Sequence, residues 1–468
     1  MIPVIALVGR PNVGKSTLFN VITKTRDALV FDMPGVTRDR KYGDAEIEDK
    51  PFIVIDTGGL TDEDKGIDSY MAGQSILAIE EADVVFFMVD GRSGITSDDQ
   101  YIAGLLRSRG KPTYLVVNKT DGLQEEIACA DFYELGFSEP MPIAASHKRG
   151  VYALLEQTVL PMLEAAEVEA LEANEDVKGI KFALIGKPNV GKSTLTNRMI
   201  GEERVVVYDL PGTTRDSIYI PFEREGQDYT IIDTAGVRRR SRVNETLEKF
   251  SVVKTLQAIR DADVVVIVVD AQEGLTEQDV SIVGFALHAG RALVIAINKW
   301  DGMSEYDRDT VKSDVKRKLI FVTEFAEIHF ISALHGTNVG HLFKSIKEAY
   351  RSATKKINTQ DLTTAMKIAI QDHAPPVSGK ARIKPKYAHM GGHRPPVIVI
   401  HGNQVEKLSN AYQRYLMNFF REAFELVGTP IRLELKSSDN PFKDQKIKPK
   451  LRPEQERKRE RFTKKMKR

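Results

Sequence analysis

Two stretches carry the same chemistry: GRPNVGKST at residues 9–17 and GKPNVGKST at residues 186–194. Each spaces Gly-x4-Gly-Lys-Ser after an apolar run and before a helix start. In that setting glycines let backbone N–H groups approach phosphate oxygens, and the helix N-terminus adds positive dipole. Gly9, Asn12, Gly14, Lys15, Ser16 and Thr17 form one candidate cradle; Gly186, Asn189, Gly191, Lys192, Ser193 and Thr194 form the other. Lys15 and Lys192 are candidate catalytic lysines reaching the β- and γ-phosphates, and the Ser16 and Ser193 hydroxyls suit Mg2+.

Asp56 in IDTGG and Asp233 in IDTAG end apolar strands, where a carboxylate can hold the same metal, usually through water. The glycines that follow, Gly59 and Gly236, can offer backbone N–H groups to the γ-phosphate. Thr37 in PGVTRDR and Thr214 in PGTTRDS can join the metal shell when a γ-phosphate is present, so both are candidate catalytic and switch residues. Asn118, Lys119 and Asp121, and again Asn298, Lys299 and Asp301, spell Asn-Lys-x-Asp at strand ends. An aspartate there accepts from guanine's ring N–H and exocyclic amine. Adenine offers neither donor, so an ATP complex would leave the carboxylate unpaired. Each motif alone could be a chance match or a plain turn; the ordered set, met twice, points to GTP and GDP.

Every landmark recurs in order, 177 residues apart at the first motif and 180 at Asn-Lys-x-Asp, so two whole domains are duplicated. Within each copy, continuous apolar runs such as DVVFFMVD alternate with amphipathic stretches. That is the pattern of an α/β fold whose mainly parallel sheet is covered by helices. The expected organisation is a first domain over 1–163, an acidic linker over 164–179, a second domain over 180–352, a small α+β unit over 353–440 and a disordered basic tail over 441–468. In the small unit, LSNAYQRYLMNFFREAFELVG reads as a long helix closed by Gly428.

A formal net charge of +1 over 468 residues says nothing about partners, but 13 lysines and arginines against four acids from Lys443 onward suit phosphate contacts, or else a solvated tail. RRRSR at 238–242 poses the same choice beside the second Asp-Thr-x-Gly. Cys129 is the one cysteine, which favours a reducing compartment. The opening apolar run lacks a basic leader and reads as a first strand, and no apolar run reaches the ~18 residues of a spanning helix. A cytoplasmic protein without a membrane or DNA partner is expected.

These residues resemble the TRAFAC-class GTPases, and specifically the Der (EngA) family of tandem G-domain ribosome-assembly factors, over essentially the whole chain. The resemblance implies a GTPase acting on the large ribosomal subunit or its precursor, contacting ribosomal RNA, working as a monomer, with a KH-like C-terminal unit. It also implies a K+ ion near the phosphates, held by Asn12 and Asn189. That ion matters because the position that carries a water-orienting glutamine in other GTPases holds Leu60 and Val237. The base-contacting Ser-Ala motif is Ser332-Ala333 in the second copy and Ala144-Ala145 in the first. The Ala145 N–H can still reach the guanine oxygen, but the serine's brace is lost. No Gly-x-x-Gly loop occurs after residue 353, so RNA clamping in the manner of true KH domains is not expected. Histidines 373, 389, 393 and 401 are not spaced for zinc. Two alternative readings are a tRNA-modification GTPase, which would need a catalytic cysteine in a cofactor domain, and a membrane-remodelling GTPase, which would need a stalk or amphipathic anchor.

Overall fold

The structure, a computed structural model, describes residues 2–23, 30–31, 41–57, 69–173, 179–201, 205–207, 218–233, 252–376 and 383–437. In the first copy β1 is Val4–Val8, β2 Val30–Phe31, β3 Lys41–Ile47, β4 Lys50–Asp56, β5 Val84–Asp90, β6 Thr113–Asn118 and β7 Met141–Pro142. They form one sheet in the order β2-β3-β4-β1-β5-β6-β7. β4, β1, β5, β6 and β7 run parallel; β2 and β3 are antiparallel additions. β5, VVFFMVD, is buried at all seven positions. Such a strand makes sense only with helices on both faces, and its β-branched and aromatic residues fit the pleat.

The second copy repeats this plan. β8 is Ile180–Ile185, β9 Val205–Val207, β10 Ile218–Arg224, β11 Gln227–Asp233, β12 Val264–Asp270, β13 Ala292–Asn298 and β14 Glu327–Phe330. Their order, β9-β10-β11-β8-β12-β13-β14, is that of the first sheet, with the same parallel core and antiparallel edge. In both sheets the strand carrying the phosphate motif is central, flanked by the strand ending in the metal-type aspartate and by a strand ending in another aspartate, Asp90 or Asp270. The carboxyl ends of parallel strands are where α/β sheets bind ligands.

The chain divides into two compact units. Of the described residues, one holds both sheets together with 392–396 and 424–431; the other is built from 357–376, 383–391, 397–423 and 432–437. In the second unit β15 (Lys384–Gly392), β16 (Val397–Asn403) and β17 (Arg432–Ser437) form a three-stranded sheet in that order, with helices Thr359–Asp372 and Asn410–Ala423. The two helices are tied by Tyr415, whose hydroxyl donates to the Ala369 carbonyl at 2.8 Å. The long helix expected to run to Gly428 stops at Ala423. Beyond it the backbone turns to other partners: Leu293 N–H donates to Gly428 O at 2.6 Å and Gly428 N–H to Phe325 O at 2.7 Å. Gly428 does adopt a left-handed φ of 70°, but in this later turn. Tertiary hydrogen bonds thus override a helical pattern that the side chains alone would continue.

Candidate nucleotide-binding sites

The phosphate loop of the first copy leaves β1 and enters helix Lys15–Ile22 through Gly14, whose φ is 103°. A Cβ on Gly14 would lie 2.2 Å from Asn118 Nδ2, and one on Gly191 would lie 2.4 Å from Asn298 Nδ2. Glycine is required there by both backbone conformation and space. No side chain caps either helix Lys15–Ile22 or Lys192–Ile200, which leaves first-turn N–H groups for an anion. Lys15 is buried, and its Nζ donates to the carbonyls of Gly9 and Arg10, both at 2.9 Å. Lys192 does the same to Gly186 and Lys187 at 2.9 and 2.7 Å. Burial holds the Lys15 pKa down to about 8, with Asp56 opposing and Arg10 adding to the shift. A phosphate placed against that ammonium would reverse the penalty.

The metal-type residues of the first copy also meet. Ser16 Oγ donates to Asp56 Oδ2 at 2.7 Å. The other carboxylate oxygen, Asp56 Oδ1, is buried with no hydrogen-bond partner among the described residues. Burial raises the Asp56 pKa, against the pull of the Ser16 hydroxyl and the charges of Lys15 and Lys41. A buried, unsatisfied carboxylate oxygen beside a hydroxyl fits the all-oxygen shell of Mg2+. Asp233 ends β11 beside Leu184 of β8, the counterpart of Asp56 beside Leu7; its side chain, like Thr37, Gly59, Thr214, Gly236, Leu60, Val237, residues 238–242 and the tail, lies outside the described residues.

The Asn-Lys-x-Asp loops are locked to the phosphate loops. Asn118 Nδ2 donates to Val13 O and Asn298 Nδ2 to Val190 O, each at 2.8 Å. Their Oδ1 atoms accept from the backbone N–H of Ala145 at 3.0 Å and of Ala333 at 2.9 Å. The two N–H groups expected at the guanine oxygen are therefore engaged by the asparagines here. Lys119 has a φ of 66° and Lys299 one of 62°. Lys119 Nζ donates to Asn12 O at 2.8 Å and to Asp90 Oδ2 at 2.6 Å, and Lys299 pairs with Asp270. Asp90 and Asp270 were missed by motif reading, although both end in-register strands, VVFFMVD and VVVIVVD. Burial would raise the Asp90 pKa; the Lys119 ammonium and the Arg92 N–H outweigh it and hold it low. The base-reading carboxylates are open, with side chains 31% exposed at Asp121 and 35% at Asp301. The Ser332 hydroxyl, its own backbone and the nearby His335 keep the Asp301 pKa low, and Ser332 Oγ also accepts from the His335 N–H at 3.2 Å. Asn12 and Asn189, the candidate K+ ligands, sit exposed at φ near 65° and 63°.

Comparison with known proteins agrees with this geometry. Residues 4–119 and 181–299 each match a family described as 50S ribosome-binding GTPase, and residues 356–436 match the KH-domain-like C-terminal domain of EngA bacterial GTPase enzymes. The chain is 60% identical to the GTPase Der of Francisella philomiragia over 448 residues, 95% of this chain and 96% of that one. It is 57% identical to the GTPase Der of Aliivibrio salmonicida over 490 aligned positions, 98% of each chain. The chain belongs to the GTPase Der family. Both phosphate-loop segments lie within the matched G-domain residues, which end at Lys119 and Lys299, and the three-stranded unit falls in the matched KH-like domain. Among solved structures, Aquifex aeolicus Era matches 56% of this chain and 93% of its own at 24% identity and a TM-score of 0.28. Cys129 is buried, and burial followed by Glu125 and Glu139 raises its pKa, the opposite of a reactive thiol. Among the described residues no helix is long and apolar enough to cross a membrane.

Proposed function

We propose that this chain binds and hydrolyses GTP at both sites and uses the two nucleotide states to control maturation of the large ribosomal subunit in the cytoplasm, acting as a monomer. The observation that carries the nucleotide reading is the lock between each Asn-Lys-x-Asp loop and its phosphate loop, through Asn118 to Val13 and Asn298 to Val190. It holds a base-reading carboxylate and a phosphate cradle at a fixed separation, so one ligand must satisfy both. Lys15 and Lys192 would exchange their carbonyl partners for phosphate oxygens. Ser16, Asp56 and Thr37, with Ser193, Asp233 and Thr214, would hold Mg2+, and Gly59 and Gly236 would donate to the γ-phosphate. The amide oxygens of Asn12 and Asn189 are hard donors at the exposed crest of each loop, suited to K+. Bound Mg2+ and K+ would supply positive charge against the triphosphate, a role that Leu60 and Val237 cannot replace by orienting water.

The large subunit as partner rests on the family match and on the basic tail, which suits sequence-independent contact with ribosomal RNA. Domain limits at 1–163, 180–352 and 353–440, joined by 164–179, are part of the same proposal. Sucrose-gradient sedimentation of cell extract tests it: migration with the large subunit that depends on a non-hydrolysable GTP analogue over GDP is expected. Nucleotide-independent migration, or none, contradicts it. GTP turnover equal in NaCl and KCl at matched ionic strength would remove the K+ assignment alone.

A further inference from the structure

The two base-reading aspartates are braced differently. In the second copy His335 Nε2 lies 3.1 Å from Asp301 Oδ2, and the His335 N–H donates to the Ser332 hydroxyl at 3.2 Å; the first-copy counterpart, His147, lies 3.9 Å from Asp121 Oδ2. The first copy has Ala144 at the Ser332 position, which offers no hydroxyl. Arg92 lies in the loop after β5. Its own N–H donates to Asp90 Oδ1 at 3.0 Å, its Nε to Lys119 O at 3.2 Å, and its Nη2 to Asp121 O at 3.1 Å and to the Asp121 carboxylate. Asp90 in turn holds the Lys119 ammonium. One side chain therefore spans both ends of the Lys119-Thr120-Asp121 segment. Gln272, which follows Asp270 as Arg92 follows Asp90, keeps the backbone bond to Asp270 Oδ1 at 2.9 Å; among the described residues no such side-chain bonds run from it to the second loop.

We infer that Arg92 is a positioning residue for guanine recognition at the first site, replacing from another loop the brace that His335, held by Ser332, supplies at the second. The inference rests on the guanine reading of these loops. An ionised carboxylate has about four lone-pair positions. Arg92 can take one and leave two aimed at the base. An exposed ion pair contributes little by itself, but here the guanidinium also ties the carboxylate to its own backbone, which fixes direction. A serine hydroxyl at 144 or an arginine at 92 performs the same task, and each copy has one of the two.

The test uses the full chain carrying Lys192→Ala, so that titration with fluorescent GDP and IDP reports the first site. Arg92→Gln should weaken GDP binding about five- to tenfold, the range of a partly solvated hydrogen bond to a charged group. It should also narrow the preference for GDP over IDP, because a misaligned carboxylate loses the exocyclic amine that IDP lacks. Adding Ala144→Ser to Arg92→Gln should restore most of both. Unchanged affinity and selectivity, tighter binding, or a loss that Ala144→Ser does not recover each overturns the inference. Asp121→Asn serves as the control: if it leaves guanine preference intact, the reading of the loop has failed, and not merely the role of Arg92.

Discussion

The phosphate ends of the two sites are near copies, whereas their base ends are not. Lys15 and Lys192 bond the same pair of loop carbonyls, and Asn118 and Asn298 reach Val13 and Val190 at the same 2.8 Å. A cradle made of backbone N–H groups has few geometric solutions, because each glycine must keep its conformation and its clearance. The carboxylate that reads the base needs only to be aimed. Aim can come from His335, anchored by Ser332, at one site and from Arg92 at the other. In this chain the two sites differ in the residues that orient a side chain and agree in those that shape the main chain.

The largest effect should come from breaking the shared part. Lys15→Ala or Lys192→Ala should cost about 100-fold in nucleotide affinity at its own site, the scale of charged hydrogen bonds to phosphate. Two-site titration of each variant checks this, and loss at both sites from one substitution would show that the cradles are not independent. Next, Asp301→Asn should lower GTP-over-ATP selectivity at the second site by about tenfold or more, since an amide presents donors where acceptors are needed. Competition binding in the Lys15→Ala background reads it directly.

A smaller effect concerns pH at the first site. At the first site burial lowers the Lys15 pKa to about 8. Phosphate oxygens raise it, so the complex binds more protons than the free site, and affinity falls as pH rises through 8. Between about pH 7.5 and 9 the first-site affinity should drop severalfold, short of the tenfold per unit that one proton allows. Titrations with the second site disabled measure it; a flat profile would mean that Lys15 keeps its proton without the ligand.

Much of this was legible in the sequence because period and motif coincide. The duplicated α/β plan followed from buried apolar runs such as VVFFMVD and VVVIVVD, which admit only a covered parallel sheet. The cradle residues followed from spacing. Arg92 and Asp90 did not, because their work depends on a strand end lying beside a loop about thirty residues on, and no local pattern announces that neighbour. A loop-bracing serine at 332 was legible as a motif; a brace from another loop at the first site was not. The helix ending at Ala423 escaped for a similar reason, since the bonds that draw Gly428 to Leu293 and Phe325 are made far away in sequence.

Isothermal titration calorimetry of the intact chain with GDP, in Mg2+ and K+, tests the central claim most directly. Two working sites predict a stoichiometry of two nucleotides per chain, falling to one in either lysine variant. A stoichiometry of one in the unaltered chain at saturation would contradict it.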